Sequence, residues 1–158
     1  MMLSTKGRYA VMAMVELAVR GDESPICLAK IAECQEIPLP YLEQIFATLR
    51  REGLVKATRG PGGGYKLARA ASDIRIFDII VAMDESMRMT RCEHASPTGC
   101  MADKSRCLTH DLWEGLTDQI RRYLSGISLQ DVLNRKTRHG AVAALFPEAA
   151  VHQEERYV

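Results

Sequence analysis

"PYLEQIFATLRREGLVKATRGPGGGYKL", residues 40–67, changes its periodicity halfway along. In the first half Leu42, Ile45, Phe46 and Leu49 recur every three to four positions, the stripe of a helix with one buried face. Pro40 suits the opening of that helix, which should run through Glu52, with Gly53 closing it. In the second half two β-prone runs, "LVKAT" and "YKL", flank "RGPGGG", so a hairpin with a glycine-rich tip is expected.

Upstream, Ser4 can cap a first helix that places Ala10, Ala13, Met14 and Leu17 on an inward face. "GDESP" ends that helix and starts the next, with Pro25 in its first turn; "CLAKIAECQEI" then forms a short helix using Leu28, Ile31 and Ala32. "PLP" forces an extended break before the helix at residue 40. Three helices, the last two separated by a tight break and followed by a hairpin, make a winged helix-turn-helix pattern. The fold class expected is mainly α with a small β wing.

Opposite the buried stripe, the third helix carries Gln44, Ala47 and Arg51, flanked by Glu43, Thr48 and Arg50. That face suits a DNA major groove. Ala47 allows close approach, Gln44 can bond adenine in bidentate fashion, and Arg51 can reach guanine or phosphate. The bland alternative is an amphipathic helix whose polar face is merely wet. The hairpin favours DNA, because Arg59 flanks a tip whose glycines tolerate unusual backbone angles and close phosphate approach. Between Tyr41 and Ala70 six basic residues face two acidic ones, in a chain of formal net charge +1. A nucleotide-binding glycine loop fits poorly, since no strand–loop–long-helix order and no Lys-Ser/Thr follows.

Downstream, "DIRIFDIIVAMDES" reads as mostly helical, with room for a strand at its start. A longer helix is expected from Cys107 to Leu124, with Leu108, Leu112, Leu116, Ile120 and Leu124 along a stripe flanked by Trp113 and Tyr123. Ser128 and Asp131 resemble a capping box for a last short helix ending near Lys136. The divisions expected are a DNA-binding unit over 1–86, a loop over 87–106, helices over 107–136 and a disordered tail over 137–158.

That loop, with the residues that follow it, holds "RCEHASPTGCMADKSRCLTH", residues 91–110. Of 158 residues, 47% are hydrophobic and 26% charged, enough for one packed domain with an appendage. No apolar run approaches the roughly 18 residues of a membrane span, and the first residues lack a signal-peptide cleavage region. The expected location is the reducing cytoplasm, with no membrane partner. There, clustered cysteines favour metal or redox chemistry over disulfides, and the odd count of five agrees. Cys92, Cys100, Cys107 and His110 are spaced Cys-x7-Cys-x6-Cys-x2-His, a set of soft or borderline ligands suited to zinc, copper or iron–sulfur iron. Zinc more often uses tight Cys-x2–4-Cys pairs, though the spacing leaves a Cys3His zinc site open. A redox Cys-x-x-Cys pair is absent. His94 reads as a solvent-exposed loop residue, and Cys27 and Cys34 as small semi-buried hydrophobes on one helical face.

"STKGRYAVMAM", "PYLEQIFATLRREGLVKATRGPGGGY", "DES" and "CLTHDLWEGL" together resemble the IscR-type iron–sulfur cluster regulators. These belong to a winged-helix family that also includes NsrR-like and RirA-like proteins, and the resemblance covers roughly Met1 to Lys136. It implies a homodimer held by the long helix, and one 2Fe–2S cluster per subunit on Cys92, Cys100, Cys107 and His110. It also implies DNA contacts by Tyr41, Glu43, Gln44, Arg51, Arg59 and Gly60 to operators of approximate dyad symmetry. Cluster occupancy would govern repression or activation of cluster-assembly genes, the assembly machinery would donate the cluster, and Glu43 would distinguish two operator classes. The chain is then a regulator and not an enzyme. Replacing one thiolate by neutral imidazole removes a negative charge, which raises a cluster's potential and suits a labile sensor better than a ferredoxin.

Three departures bear on this resemblance. The first two ligand gaps are slightly longer than in close relatives, which a loop absorbs at little cost. Pro38 and Pro40 stand where relatives often carry small hydroxyl residues, so contacts by those hydroxyls do not transfer. Arg8 stands where NsrR-like relatives place an acidic ligand, which favours His110 as the fourth ligand over nitric-oxide sensing of the NsrR kind.

Overall fold

The computed structural model describes residues 4–20, 24–84 and 99–136. Helix α1 spans Thr5–Arg20. Its start is fixed by Ser4, whose Oγ accepts from the amides of Lys6 and Gly7 at 3.1 and 3.3 Å. Ala10, Ala13, Met14 and Leu17 are all fully buried, as their spacing requires. The helix is the hub of the molecule, touching α2, α3, β2, α4 and α6.

Helix α2 spans Leu28–Gln35, and Ile31 and Ala32 turn inward. It starts three residues later than Pro25 suggests. Ile26 is extended and forms an antiparallel bridge with Tyr65, the Ile26 amide donating to the Tyr65 carbonyl at 3.0 Å and the reverse bond measuring 2.8 Å. Those two bonds and the half-buried Ile26 side chain hold residues 25–27 against the hairpin, so the helix opens only after Cys27. Cys27 and Cys34 are both exposed, which corrects the expectation of semi-buried hydrophobes.

Helix α3 covers Leu39–Arg51 with Pro40 in its first turn, and buries Leu42, Ile45, Phe46 and Leu49. Gly53 follows it at φ +69. Strands β1 (Val55–Thr58) and β2 (Gly64–Leu67) pair antiparallel, Val55 opposite Leu67 and Thr58 opposite Gly64. Tyr65 stacks edge-on against Phe46, ring centroids 4.8 Å apart, and ties the hairpin to α3. The architecture through β2 is a winged helix-turn-helix.

A short 3-10 turn at Ala71–Asp73 leads to α4, Ile76–Ala82. The strand character before α4 is confined to a single bridge, Arg75 with Ser128. Around it the Ile76 amide donates to Ile127 at 3.0 Å and the Leu129 amide to Ile74 at 2.8 Å, closing the far end of the chain onto the domain.

Helix α5 runs His110–Gly126, beginning three residues after Cys107 and extending two past Leu124. Residues 107–109 form a turn instead, closed by the His110 amide on the Cys107 carbonyl at 3.0 Å. Helix α6, Leu129–Leu133, starts at the reciprocal Ser128/Asp131 capping box. It stops short of Lys136 because Arg135 takes φ +55 and the Lys136 amide turns back to the Asp131 carbonyl. The tail beyond Lys136 lies outside the described residues. Among those described, no helix is long and apolar enough to cross a membrane.

Candidate metal centre and nucleic-acid interface

The segment from Gly99 to Ser105 is a folded turn. The Gly99 amide donates to Lys104 O at 2.9 Å, that of Met101 to Ser105 O at 3.1 Å, and that of Lys104 back to Met101 O at 3.0 Å. Asp103 accepts from the Ser105 amide and hydroxyl at 2.9 and 2.6 Å, and these bonds hold its carboxyl below the ordinary range. Gly99 has no substitute here: a Cβ would stand 2.0 Å from the Ser105 carbonyl oxygen.

This turn brings Cys100 beneath the start of α5. The Cys107 amide donates to Cys100 Sγ at 3.2 Å, and Cys100 Sγ lies 3.6 Å from His110 Nδ1. Ligand atoms of Cys100, Cys107 and His110 all lie within 4.8 Å of one another. Two ligands of one tetrahedral metal, with bonds of about 2.0 and 2.3 Å to nitrogen and sulfur, stand about 3.5 Å apart. The cysteine–histidine distance therefore fits a shared metal atom, and the donor set is soft enough for iron–sulfur iron. His110 is 3% exposed and, among the described residues, its Nε2 has no hydrogen-bond partner. Such a buried imidazole is rare without a ligand or bonded neighbour. Cys92 and His94 lie outside the described residues.

Glu114 is absent from the ligand spacing read in the sequence, yet its Oε2 lies 3.9 Å from His110 Nε2. A histidine followed four residues later by glutamate on one helix face was the available signal.

Away from the cysteines in sequence, α3 presents Glu43, Gln44, Ala47, Arg50 and Arg51 to solvent, with Thr48 half-buried beside them. Arg51 Nε lies 3.2 Å from Glu52 Oε1, an exposed pair that a phosphate can outcompete. Tyr41 is half-buried, its ring edge-on to Tyr9 at 5.9 Å, so only part of it is available to a ligand. Arg59 and Gly60 are exposed at the hairpin tip. Gly60 takes φ +103 and accepts from the Gly63 amide at 2.8 Å, a turn that few other residues could make. Lys56, Arg59 and Arg69 are exposed along the same hairpin and just beyond it.

The model of the Rrf2 family, described as iron-dependent transcriptional regulators, matches residues 3–135. The chain is 49% identical over 136 residues to the HTH-type transcriptional regulator IscR of Photorhabdus laumondii, covering 86% of this chain and 81% of that one. It is 50% identical over 135 residues to a putative HTH-type regulator of Azotobacter vinelandii, covering 85% and 80%. Among solved structures, IscR of T. potens superposes with TM-score 0.70 at 38% identity, covering 86% of this chain and 88% of that one. CymR, the global cysteine regulator of B. subtilis, gives 0.72 at 32% identity, covering 85% and 98%. These relatives are regulators of transcription, not enzymes. With a winged helix, a basic hairpin and a family match over nearly all the described residues, this chain belongs to the Rrf2 family of transcriptional regulators.

Proposed function

We propose that the protein is a cytoplasmic, homodimeric repressor, and at some promoters activator, of iron–sulfur cluster assembly genes that responds to its own 2Fe–2S occupancy. The observation that carries this reading is the convergence of Cys100, Cys107 and His110 at the head of α5, in a chain that also carries a winged helix with a basic hairpin. Cys92 is the fourth ligand. When bound, the cluster supplies an occupancy signal sensitive to iron and oxidants. The assembly machinery is its donor.

The chain's own residues do the rest. The 99–105 turn and the start of α5 hold two thiols and an imidazole at ligand spacing. The Cys107 amide donates to Cys100 Sγ, an N–H···S bond of the kind that tunes the sulfur ligands of a cluster. Helix α5 exposes Leu112 and Leu116 at 62% and 39% on one side, the apolar face expected of a helix that pairs with a second copy of itself. A twofold dimer sets two α3 helices on related half-sites of a palindromic operator. Residues 1–86 serve as the DNA-binding unit, 87–106 as the cluster loop and 107–136 as the dimer-forming part. Gln44, Arg51, Arg59 and Gly60 contact DNA, with Tyr41 at the edge, and Glu43 selects between operator classes.

Iron, acid-labile sulfide and zinc analysis of protein purified without air tests this reading. Equal iron and sulfide are expected, lost in Cys92→Ala, Cys100→Ala and Cys107→Ala but retained in Cys27→Ala and Cys34→Ala. Stoichiometric zinc without sulfide would overturn the cluster and leave a zinc-stabilised DNA-binding protein.

A further inference from the structure

His110 turns its two ring nitrogens to different neighbours. Nδ1 faces Cys100 Sγ at 3.6 Å, on the side of the two thiols. Nε2 faces the next turn of α5, where Glu114 Oε2 lies 3.9 Å away. The His110 side chain is 4% exposed, and among the described residues Nε2 has no hydrogen-bond partner. Two carboxylates approach this ring, from Asp111 and Glu114. Asp111 is 89% exposed and 3.9 Å from Arg106 Nη1, so it is drawn outward. Glu114 is 22% exposed and lies at i+4, above the ring on the same helix face. A change of glutamate side-chain rotamer closes the remaining distance of about 1 Å to a normal hydrogen bond.

We propose that Glu114 is the positioning residue of His110: its carboxylate accepts the Nε2 hydrogen bond, holds Nδ1 toward Cys100 and Cys107, and thereby sets how firmly iron is retained. This rests on the reading of His110 as a ligand. An imidazole ligates through one nitrogen only while the proton sits on the other, and a carboxylate on that proton fixes the tautomer and makes the ligating nitrogen a better donor. Glu114 thus acts through His110, tightening a ligand whose replacement of a thiolate otherwise loosens the site.

The test compares anaerobically purified full-length wild type, Glu114→Gln and Glu114→Ala, by iron and sulfide content, by the rate of iron loss to a chelator, and by midpoint potential. Glu114→Ala should load as much iron and sulfide as wild type but release it about 10-fold faster, with the potential moved positive. Glu114→Gln preserves shape and an acceptor oxygen, and should fall between the two. In a His110→Cys background Glu114→Ala should change neither quantity, because a thiolate ligand has no second nitrogen to hold. Release rate and potential unchanged in Glu114→Ala, or an equal acceleration in the His110→Cys background, would overturn the role of Glu114 while leaving the cluster in place. Wild type lacking iron and sulfide would instead remove the ligand reading, and this proposal with it.

Discussion

Gly64→Ala probes how the wing is held to the helices. A Cβ built at Gly64 stands 2.4 Å from both the carbonyl carbon and the oxygen of Ile26, and 2.9 Å from the Cys27 amide nitrogen. All three are backbone atoms, so no side chain can swing aside; the wing and residues 26–27 must separate by about 1 Å to restore ordinary contact. That displacement breaks both bonds of the bridge, now 3.0 and 2.8 Å, each worth about 1 kcal/mol. It also draws Tyr65 from Phe46, an edge-on pair worth about 0.5–1.5 kcal/mol. Against this, alanine in place of glycine recovers about 0.4–1 kcal/mol through the unfolded chain. The net loss is about 2 kcal/mol. Gly53→Ala is the control: at φ +69, with nothing within 4 Å, it carries backbone strain of about 1–2 kcal/mol but no displacement. Denaturant unfolding reads both. Gly64→Ala should additionally lower operator affinity at unchanged metal content, because Arg59 moves with the wing, whereas Gly53→Ala should leave affinity per folded molecule near wild type. Gly64→Ala within about 0.5 kcal/mol of wild type, the usual range of an inconsequential substitution, would refute the claim that the Ile26 crossing holds the wing.

Asp131 accepts from the Ser128 hydroxyl and amide at 2.6 and 2.9 Å, and these bonds hold its carboxyl below the ordinary value of 3.8. A depressed carboxyl stabilises the fold above its ordinary value and loses that contribution as pH falls through the folded one. Asp131→Asn should therefore cost about 1 kcal/mol at neutral pH, a difference from wild type that shrinks as pH falls below the ordinary value of 3.8 and is lost once pH passes below the depressed folded-state value, as unfolding curves across pH would show. Gln44→Ala should weaken operator binding by about 1–3 kcal/mol and relax preference at one position per half-site. Arg59→Ala should lower the salt slope by about 1; titrations at several salt concentrations check both. Leu112→Glu should shift the protein toward monomer in sedimentation, since it sets a charge in the apolar face of α5.

The sequence was most legible where local signals agreed with packing. The stripe of α3, its proline start and glycine stop, the Ser4 cap and the Ser128/Asp131 box were all readable, because each is decided within one or two turns of chain. Pro25 misled because helix-opening chemistry lost to a long-range contact: Ile26 pairs with Tyr65, 39 residues away, and nothing local announces that bond. Cys27 and Cys34 misled in the same way, since a cysteine's burial depends on what lies across from it. At the site, residue types and spacing indicated metal chemistry, but the 99–105 turn and the N–H···S bond exist only in three dimensions. Glu114 was legible as an i+4 neighbour of His110, but an i,i+4 glutamate is common on any helix surface, and only the burial of the His110 ring gives the pair meaning.

Operator binding by cluster-loaded and cluster-free protein, measured at one fixed salt concentration, decides whether occupancy governs recognition of DNA. Glu43 is exposed on the outer face of α3; in the proposed groove placement its carboxylate is repelled by phosphates but can accept from a cytosine amino group. Cluster-free protein should bind one operator class well and a second poorly, and loaded protein should bind both. The coupling should be about 1–3 kcal/mol, and Glu43→Ala should recover the second class without a cluster. Identical affinities of loaded and cluster-free protein for both operator classes would contradict a sensor in which occupancy governs DNA binding.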